Sequence, residues 1–372
     1  MVFCANTLRY LWNFRRGTLE RFLAMGTRVV CIGQAGPGAA ELAGIGCEVV
    51  GLDWRLRSLD PVHELGVVRQ IFGVLRRTRP AVVFSFTFKA NFAISLACLF
   101  LRIPYVTNVS GLGTAFLSER LVHKAVQRLY GFANARAHTT FFQNGSDLAL
   151  FRRIRLSVGQ RTAILPGSGV DTAHFAFEAV DRPVRTFVMI ARLIEDKGVV
   201  EYLEAARQAR TARPELRFLL VGPPETDGPG RVPVELVHSF SDAVEYLGEL
   251  TDVRPVLREV ECLVLPSYRE GMPRTVLEAA SMGRVSLVSD VEGCRDAIER
   301  DVTGHLFEAR SADALAEAIL MMAAKPVHEV GAMSIAAGRL AEDRFSERLC
   351  IEPYLQLYET LGPARGKRGR DV

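Results

Sequence analysis

The sequence predicts the α/β class, as two doubly wound parallel-sheet domains facing a central cleft. Three observations carry this. At 372 residues the chain suits two ordinary cores, at about 100–200 residues per domain. Short β-branched runs alternate with stretches of helical spacing, the pattern of parallel strands joined by crossover helices. The series also runs twice, ending and reopening near residues 177–183. Two such sheets place a ligand cleft at the carboxyl ends of their strands.

In the first half, strands are expected at 2–5, 28–32, 48–51, 81–85, 105–109, 139–142 and 163–165. Between them, helical spacing marks 15–25, 62–77, 89–101 and 119–134. In the second half the strand-like runs are 185–191, 216–222, 244–247, 262–266, 286–289 and 304–307, with helices at 199–212, 252–259, 275–282 and 312–323. Both halves are therefore Rossmann-like: 1–180 forms the first domain and 181–345 the second. Residues 342–361 are apolar at helical spacing with an interruption at Pro353, and 346–362 is expected to cross back and cap the first domain. The end, 363–372, carries Arg365, Lys367, Arg368 and Arg370 and reads as a flexible basic tail. There is no internal repeat.

Apolar residues make up 49% and charged residues 24%, which excludes wholesale disorder and collagen-like or coiled-coil chains. Seven cysteines are scattered and never form Cys-x-x-Cys, so buried thiols in a reducing compartment are expected rather than a disulfide frame or zinc site. The longest apolar stretch, 92–101, is about half a membrane span, and no basic-then-apolar leader precedes it. An untargeted cytoplasmic protein is expected. Its first strand opens early, at Met1-Val2, so a slightly trimmed first domain or a misassigned start is expected too.

The formal charge of +4 conceals a split. Residues 1–180 carry 21 Lys+Arg against 10 Asp+Glu, a net +11, while 181–372 carry 25 against 32, a net −7. The basic half favours an anionic partner: nucleic acid, an anionic membrane surface or a phosphorylated substrate. Nucleic acid is disfavoured, because it predicts basic and aromatic residues clustered on one surface, whereas these cations lie dispersed among helices. A membrane face is better supported. Arg120, Lys124, Arg128 and Arg136 share one helical region, Arg152, Arg153 and Arg155 form a basic run, and the apolar stretch 92–101 lies near.

Several chemistries are excluded by motif. Gly-x-Gly-x-x-Gly does not follow the first strand; Gly33, Gly36 and Gly38 follow the second in the wrong order. The Gly-x-x-x-x-Gly-Lys-[Ser/Thr] phosphate loop and an Asp-x-Asp pair are absent. The informative stretch runs from Leu263 to Ala280: an apolar strand ends at Pro266, a polar loop holds Glu270, and a helix begins near Arg274 with Glu278 in its first turns. Gly271 permits close backbone approach, and a helix start suits a phosphate or diphosphate. A carboxylate beside it accepts from vicinal hydroxyls. Upstream, Arg192 and Lys197 leave a strand five residues apart, where they would neutralise a diphosphate leaving group without metal. Taken singly, these remain ordinary loop acids and surface cations.

Taken together, Glu270 and Glu278, in Ser-Tyr-Arg-Glu-Gly-Met-Pro-Arg-Thr-Val-Leu-Glu-Ala, resemble the Glu-x7-Glu signature of family 4 glycosyltransferases. The likeness extends to Ser289–Asp296 and Gly304. The motifs at 6–15, Thr87–Asn91, Asn108–Gly113, Phe142–Asn144 and Pro166–Asp171 resemble a bacterial subgroup that adds a hexose or N-acetylhexosamine to polyprenyl-diphosphate-linked sugars. The resemblance implies the two-domain glycosyltransferase-B fold and retention of anomeric configuration, with no metal or other cofactor. It also implies a nucleoside-diphosphate sugar donor, UDP-N-acetylgalactosamine being the best single choice, and a peripheral position on the inner face of the cytoplasmic membrane.

Carried over residue by residue, the resemblance makes Glu270, Arg192 and Lys197 catalytic. Glu278 would bind the ribose. Gly271, Met272, Pro273, Arg274 and Thr275 would meet sugar and phosphate, and Leu247 and Leu250 would lie beside the base. Lys89, Gly111, Leu112 and Gly113 would shape the acceptor side, making 1–180 the acceptor domain and 181–345 the donor domain. One departure stands out: the His that many members carry on the fourth strand is absent from Phe84-Ser-Phe-Thr-Phe88. A sugar-nucleotide epimerase or a non-catalytic nucleotide-sugar-binding protein of the same fold is the alternative.

Overall fold

The computed structural model describes residues 1–55, 60–110, 128, 130–132, 134–154, 159–225 and 230–362. Among these, no helix is long and apolar enough to cross a membrane. The chain divides into two units, one comprising Met1–Ser168 with Arg348–Val372 and the other Gly169–Glu347.

The first unit holds a parallel seven-stranded sheet. In chain order its strands are β1 (Val2–Thr7), β2 (Val30–Gln34), β3 (Glu48–Leu52), β4 (Val83–Phe86), β5 (Tyr105–Val109), β6 (Thr139–Phe142) and β7 (Arg161–Ile164), in spatial order β3-β2-β1-β4-β5-β6-β7. Alternation along β1 shows why it is buried on both faces. Phe3 and Ala5 enter one apolar cluster with Leu8, Phe22, Phe84 and Phe86; Val2 and Cys4 enter another with Ile71, Ile94 and Ala97.

Helix Phe88–Leu101 accounts for the apolar stretch noted above. Ala90, Ala93, Ile94, Ala97 and Cys98 are core, and only Phe100, 81% exposed, turns to solvent. Helix Glu347–Leu361 runs through Pro353 and packs on the first cluster, with Tyr354 fully buried against Phe84 and Phe141. The tail at 363–372 and most of the helix expected at 119–134 lie outside the described residues.

The second unit holds a parallel six-stranded sheet. Its strands are β8 (Thr186–Ile190), β9 (Arg217–Val221), β10 (Glu245–Tyr246), β11 (Cys262–Leu265), β12 (Val285–Ser289) and β13 (Gly304–Phe307), in spatial order β10-β9-β8-β11-β12-β13. Here too alternate residues feed opposite cores: Phe187 and Met189 one, Val188 and Ile190 the other. Buried Glu261 pins the start of β8 by accepting from the amides of Arg185 (3.0 Å) and Thr186 (2.9 Å). Because β8 pairs directly with β11, the loops leaving their carboxyl ends are neighbours. All seven cysteines are buried and free.

Candidate active site

The segment after β8 makes a single 3₁₀ turn, Glu195–Lys197, before helix Val199–Ala212. Between them Gly198 has φ +70°, and a Cβ there would lie 2.2 Å from the Pro266 carbonyl oxygen. Only glycine lets this turn close on the loop after β11. The loop is gripped from its other side by Gly293 (φ +79°), whose Cβ would stand 2.4 Å from the Glu270 carbonyl oxygen. Two glycines outside the loop thus fix the path of the chain that carries Glu270.

This packing brings Lys197 and Glu270 into an ion pair, with side chains 23% and 12% exposed. The Ser267 hydroxyl donates to the same Glu270 oxygen at 2.7 Å. Two donors on one oxygen fix the orientation of this carboxylate. Arg192 stands at the end of β8, more exposed, with its guanidinium 3.0 Å from Glu225.

Beyond Gly271 and Met272, both partly buried, and buried Pro273, helix Arg274–Ser281 starts without a side-chain cap or an acid in its first turn. Thr275 is partly exposed at its second position. Glu278 is the fifth residue of the helix, in its second turn, 9% exposed, with Arg274 donating at 2.7 Å. Burial raises its carboxyl pKa, and Arg274 opposes the rise. The order is Arg before Glu at i,i+4, the weaker orientation against the helix dipole.

Leu247 and Leu250 follow β10 and pack, partly buried, on the core that holds Val188 and Leu265. Arg192, Lys197, Leu247, Leu250 and the segment from Glu270 to Glu278 therefore all follow the carboxyl ends of strands in one sheet. In the first unit Lys89 opens the helix after β4, where it donates to Glu64 at 2.6 Å and to the Arg55 carbonyl at 2.9 Å. Gly111, Leu112 and Gly113 lie outside the described residues, as do Arg120, Lys124 and Arg155.

The sequence reading missed Ser267 and Glu225, which hold Glu270 and Arg192. Nor was an individual role expected for Thr87, directly after β4. There Thr87 adopts φ +72°, and its hydroxyl donates to Asn6 Oδ1 at 2.5 Å. Ser267 stands three residues before Glu270 and could have been found by that spacing. The partnerships of Glu225 and Asn6 join distant segments and leave no local signal.

Two parallel-sheet units, one of them with acids and cations gathered at its strand ends, are the frame against which the family matches are set. Residues 12–167 match the glycosyl transferase 4-like domain and residues 184–325 match glycosyl transferases group 1, so the chain belongs to the family 4-like, glycosyltransferase-B group. Its relatives include the N,N'-diacetylbacillosaminyl-diphospho-undecaprenol alpha-1,3-N-acetylgalactosaminyltransferase of Campylobacter jejuni, 27% identical over 86% of this chain and 87% of the relative. A second is the UDP-Gal:alpha-D-GlcNAc-diphosphoundecaprenol alpha-1,3-galactosyltransferase of Escherichia coli, 22% identical over 71% and 72%. Among solved structures, HepE of Anabaena in complex with UDP-glucose superposes with a TM-score of 0.79 at 15% identity, covering 96% of this chain and 99% of that one. At that identity the likeness is one of fold.

Proposed function

We propose that this glycosyltransferase moves a hexose or N-acetylhexosamine from a nucleoside-diphosphate sugar, with UDP as the nucleotide, to a polyprenyl-diphosphate-linked glycan. The observation that carries the reading is the convergence of Lys197, Glu270 and an uncapped helix start at the ends of two adjacent strands. A diphosphate would sit on the helix start and replace Glu225 and Glu270 as the counter-charge of Arg192 and Lys197. The Arg192–Glu225 pair is solvent-exposed on its arginine side, so exchanging it costs little. Glu278 would take the ribose hydroxyls, with Arg274 setting its orientation, while Leu247 and Leu250 would cover the base. Lys89 would serve the acceptor side.

The reaction would retain configuration. An acceptor hydroxyl attacks the anomeric carbon on the face the diphosphate leaves. The carbon–oxygen bond breaks with its electron pair on the β-phosphate, and that phosphate takes the hydroxyl proton. The protein then contributes position and charge stabilisation rather than a strong base.

The lipid-linked acceptor would hold the protein at the inner face of the cytoplasmic membrane. Exposed Phe100 stands next but one to Arg102, and Arg76, Arg77 and Arg79 at the end of helix Pro61–Thr78 add exposed cations to the first unit. Flotation with anionic vesicles, reversed by high salt, is the expected result; equal flotation with neutral vesicles would refute an electrostatic contact.

The substrate reading is tested by offering UDP-N-acetylgalactosamine and other UDP-sugars with a short-chain polyprenyl-diphosphate sugar. UDP release that requires the acceptor supports transfer. Conversion of the sugar nucleotide without acceptor would point to an epimerase instead.

A further inference from the structure

Three links join the Glu270 loop to the Lys197 turn and the helix that follows it, and two of them run through Tyr268. The first is the Lys197–Glu270 ion pair itself. In the second, the Tyr268 amide donates to the Asp196 carbonyl at 2.9 Å. In the third, the Tyr268 hydroxyl donates to Glu201 Oε1 at 2.5 Å. The ring is further held by the Arg310 guanidinium, 4.0 Å above its centroid.

Glu201 is the third residue of helix Val199–Ala212, where the positive end of the helix dipole stabilises a carboxylate. Its other oxygen is buried without a hydrogen-bond partner, so Tyr268 is the contact that orients this acid. Burial and the neighbouring Glu201 both raise the phenol pKa, which keeps the hydroxyl a donor throughout the neutral range.

A diphosphate that recruits Lys197 competes with the first link only. We propose that Tyr268, gripped by Glu201, is a positioning residue that keeps the Glu270 loop in register with the Lys197 turn when a nucleoside diphosphate draws Lys197 away from Glu270. This rests on the donor reading above. It adds a device that neither Glu-x7-Glu spacing nor charge pattern encodes.

The test has two arms, one of which needs no substrate. Lys197→Ala breaks the ion pair without a donor, so amide exchange at Tyr268 then reports the remaining links. Exchange is expected to stay slow in Lys197→Ala and in Tyr268→Phe singly, and to accelerate about tenfold or more in the double variant. Loss of protection in Lys197→Ala alone, or a double variant no faster than Lys197→Ala, would overturn the proposal whatever the donor is.

In the second arm, acceptor-dependent UDP release and UDP affinity are measured in parallel. Tyr268→Phe and Glu201→Ala should each lower kcat about tenfold, with UDP affinity and melting temperature little changed. Combining them should add nothing, and Glu201→Gln, which keeps an acceptor, should be near the parent. Multiplying losses, or a Glu201→Gln as poor as Glu201→Ala, would reduce Tyr268 to a packing residue. Absence of transfer by the parent protein with any UDP-sugar would count against the donor reading, and the exchange arm would still decide the register claim.

Discussion

Glu278 is where two opposing effects meet in one side chain. Burial disfavours its charge, and Arg274 favours it, with burial the larger. Its carboxyl pKa is therefore higher in the folded than in the unfolded chain. The stability tied to this group is full below the unfolded value and is lost as pH rises through the raised one. Glu278→Gln should accordingly match the parent stability in acid and exceed it at neutral pH, read by denaturant titration at both. The same substitution should raise the donor KM about tenfold or more while changing kcat little, because a charged hydroxyl acceptor is lost in ground state and transition state alike.

Arg192→Ala should do the reverse, lowering kcat about 10–100-fold with the melting temperature unmoved, since its pair with Glu225 is exposed. Unchanged turnover would remove Arg192 from the leaving-group site. The spacing of Glu270 and Glu278 was legible because loop and helix start are local features. Lys197 was legible as a cation of its own strand end, but its pairing with Glu270, 73 residues on, was not, because it depends on how the chain folds back.

At the scale of elements, strands were read better than helices. Fully buried strands such as Cys262–Leu265 and Tyr105–Val109 are short runs dominated by apolar or β-branched residues. The first helix was expected from residue 15, yet it begins at Leu8, where the Thr7 side chain accepts from the Tyr10 amide at 3.0 Å. A threonine before an apolar run is a start signal, but no acid follows in the first turn to reinforce it. Short helices such as Ala39–Gly44 and Cys294–Ala297 went unread, since fewer than two turns show no period.

What no periodicity reports is the glycine packing that binds one loop to another. Gly198→Ala meets a left-handed backbone and a carbonyl 2.2 Å from its Cβ, and should destabilise the second unit by about 2 kcal/mol or more. A urea titration with an unchanged midpoint would contradict this. The companion expectation is that Gly293→Ala weakens donor binding through the Glu270 loop, measured by calorimetry with UDP.

For the whole molecule, alternating elements made two doubly wound sheets legible. The way the chain is shared between units rests on individual side chains. The first unit closes with a helix from the far end of the sequence, anchored by Tyr354, which is fully buried among Phe84, Phe86 and Phe141 and donates to Asn108 Oδ1. Arg15, 2% exposed, lies 4.4 Å over Phe86 and 5.8 Å from the Tyr354 ring, a cation held by aromatic faces. Tyr354→Ala should cost about 3–5 kcal/mol of first-unit stability by cavity formation.

The charge split of +11 and −7 is a property of the same scale, with the Arg192 and Lys197 cations set inside the acidic half. On the function proposed above, the acidic half would carry the nucleotide-sugar site and the basic half would serve the lipid-diphosphate acceptor. The most direct test of that function is UDP release from UDP-N-acetylgalactosamine and other UDP-sugars with and without a polyprenyl-diphosphate sugar. Release that requires the acceptor, with an α-linked product, is expected. Release at the same rate without acceptor, or none with any UDP-sugar, would contradict it.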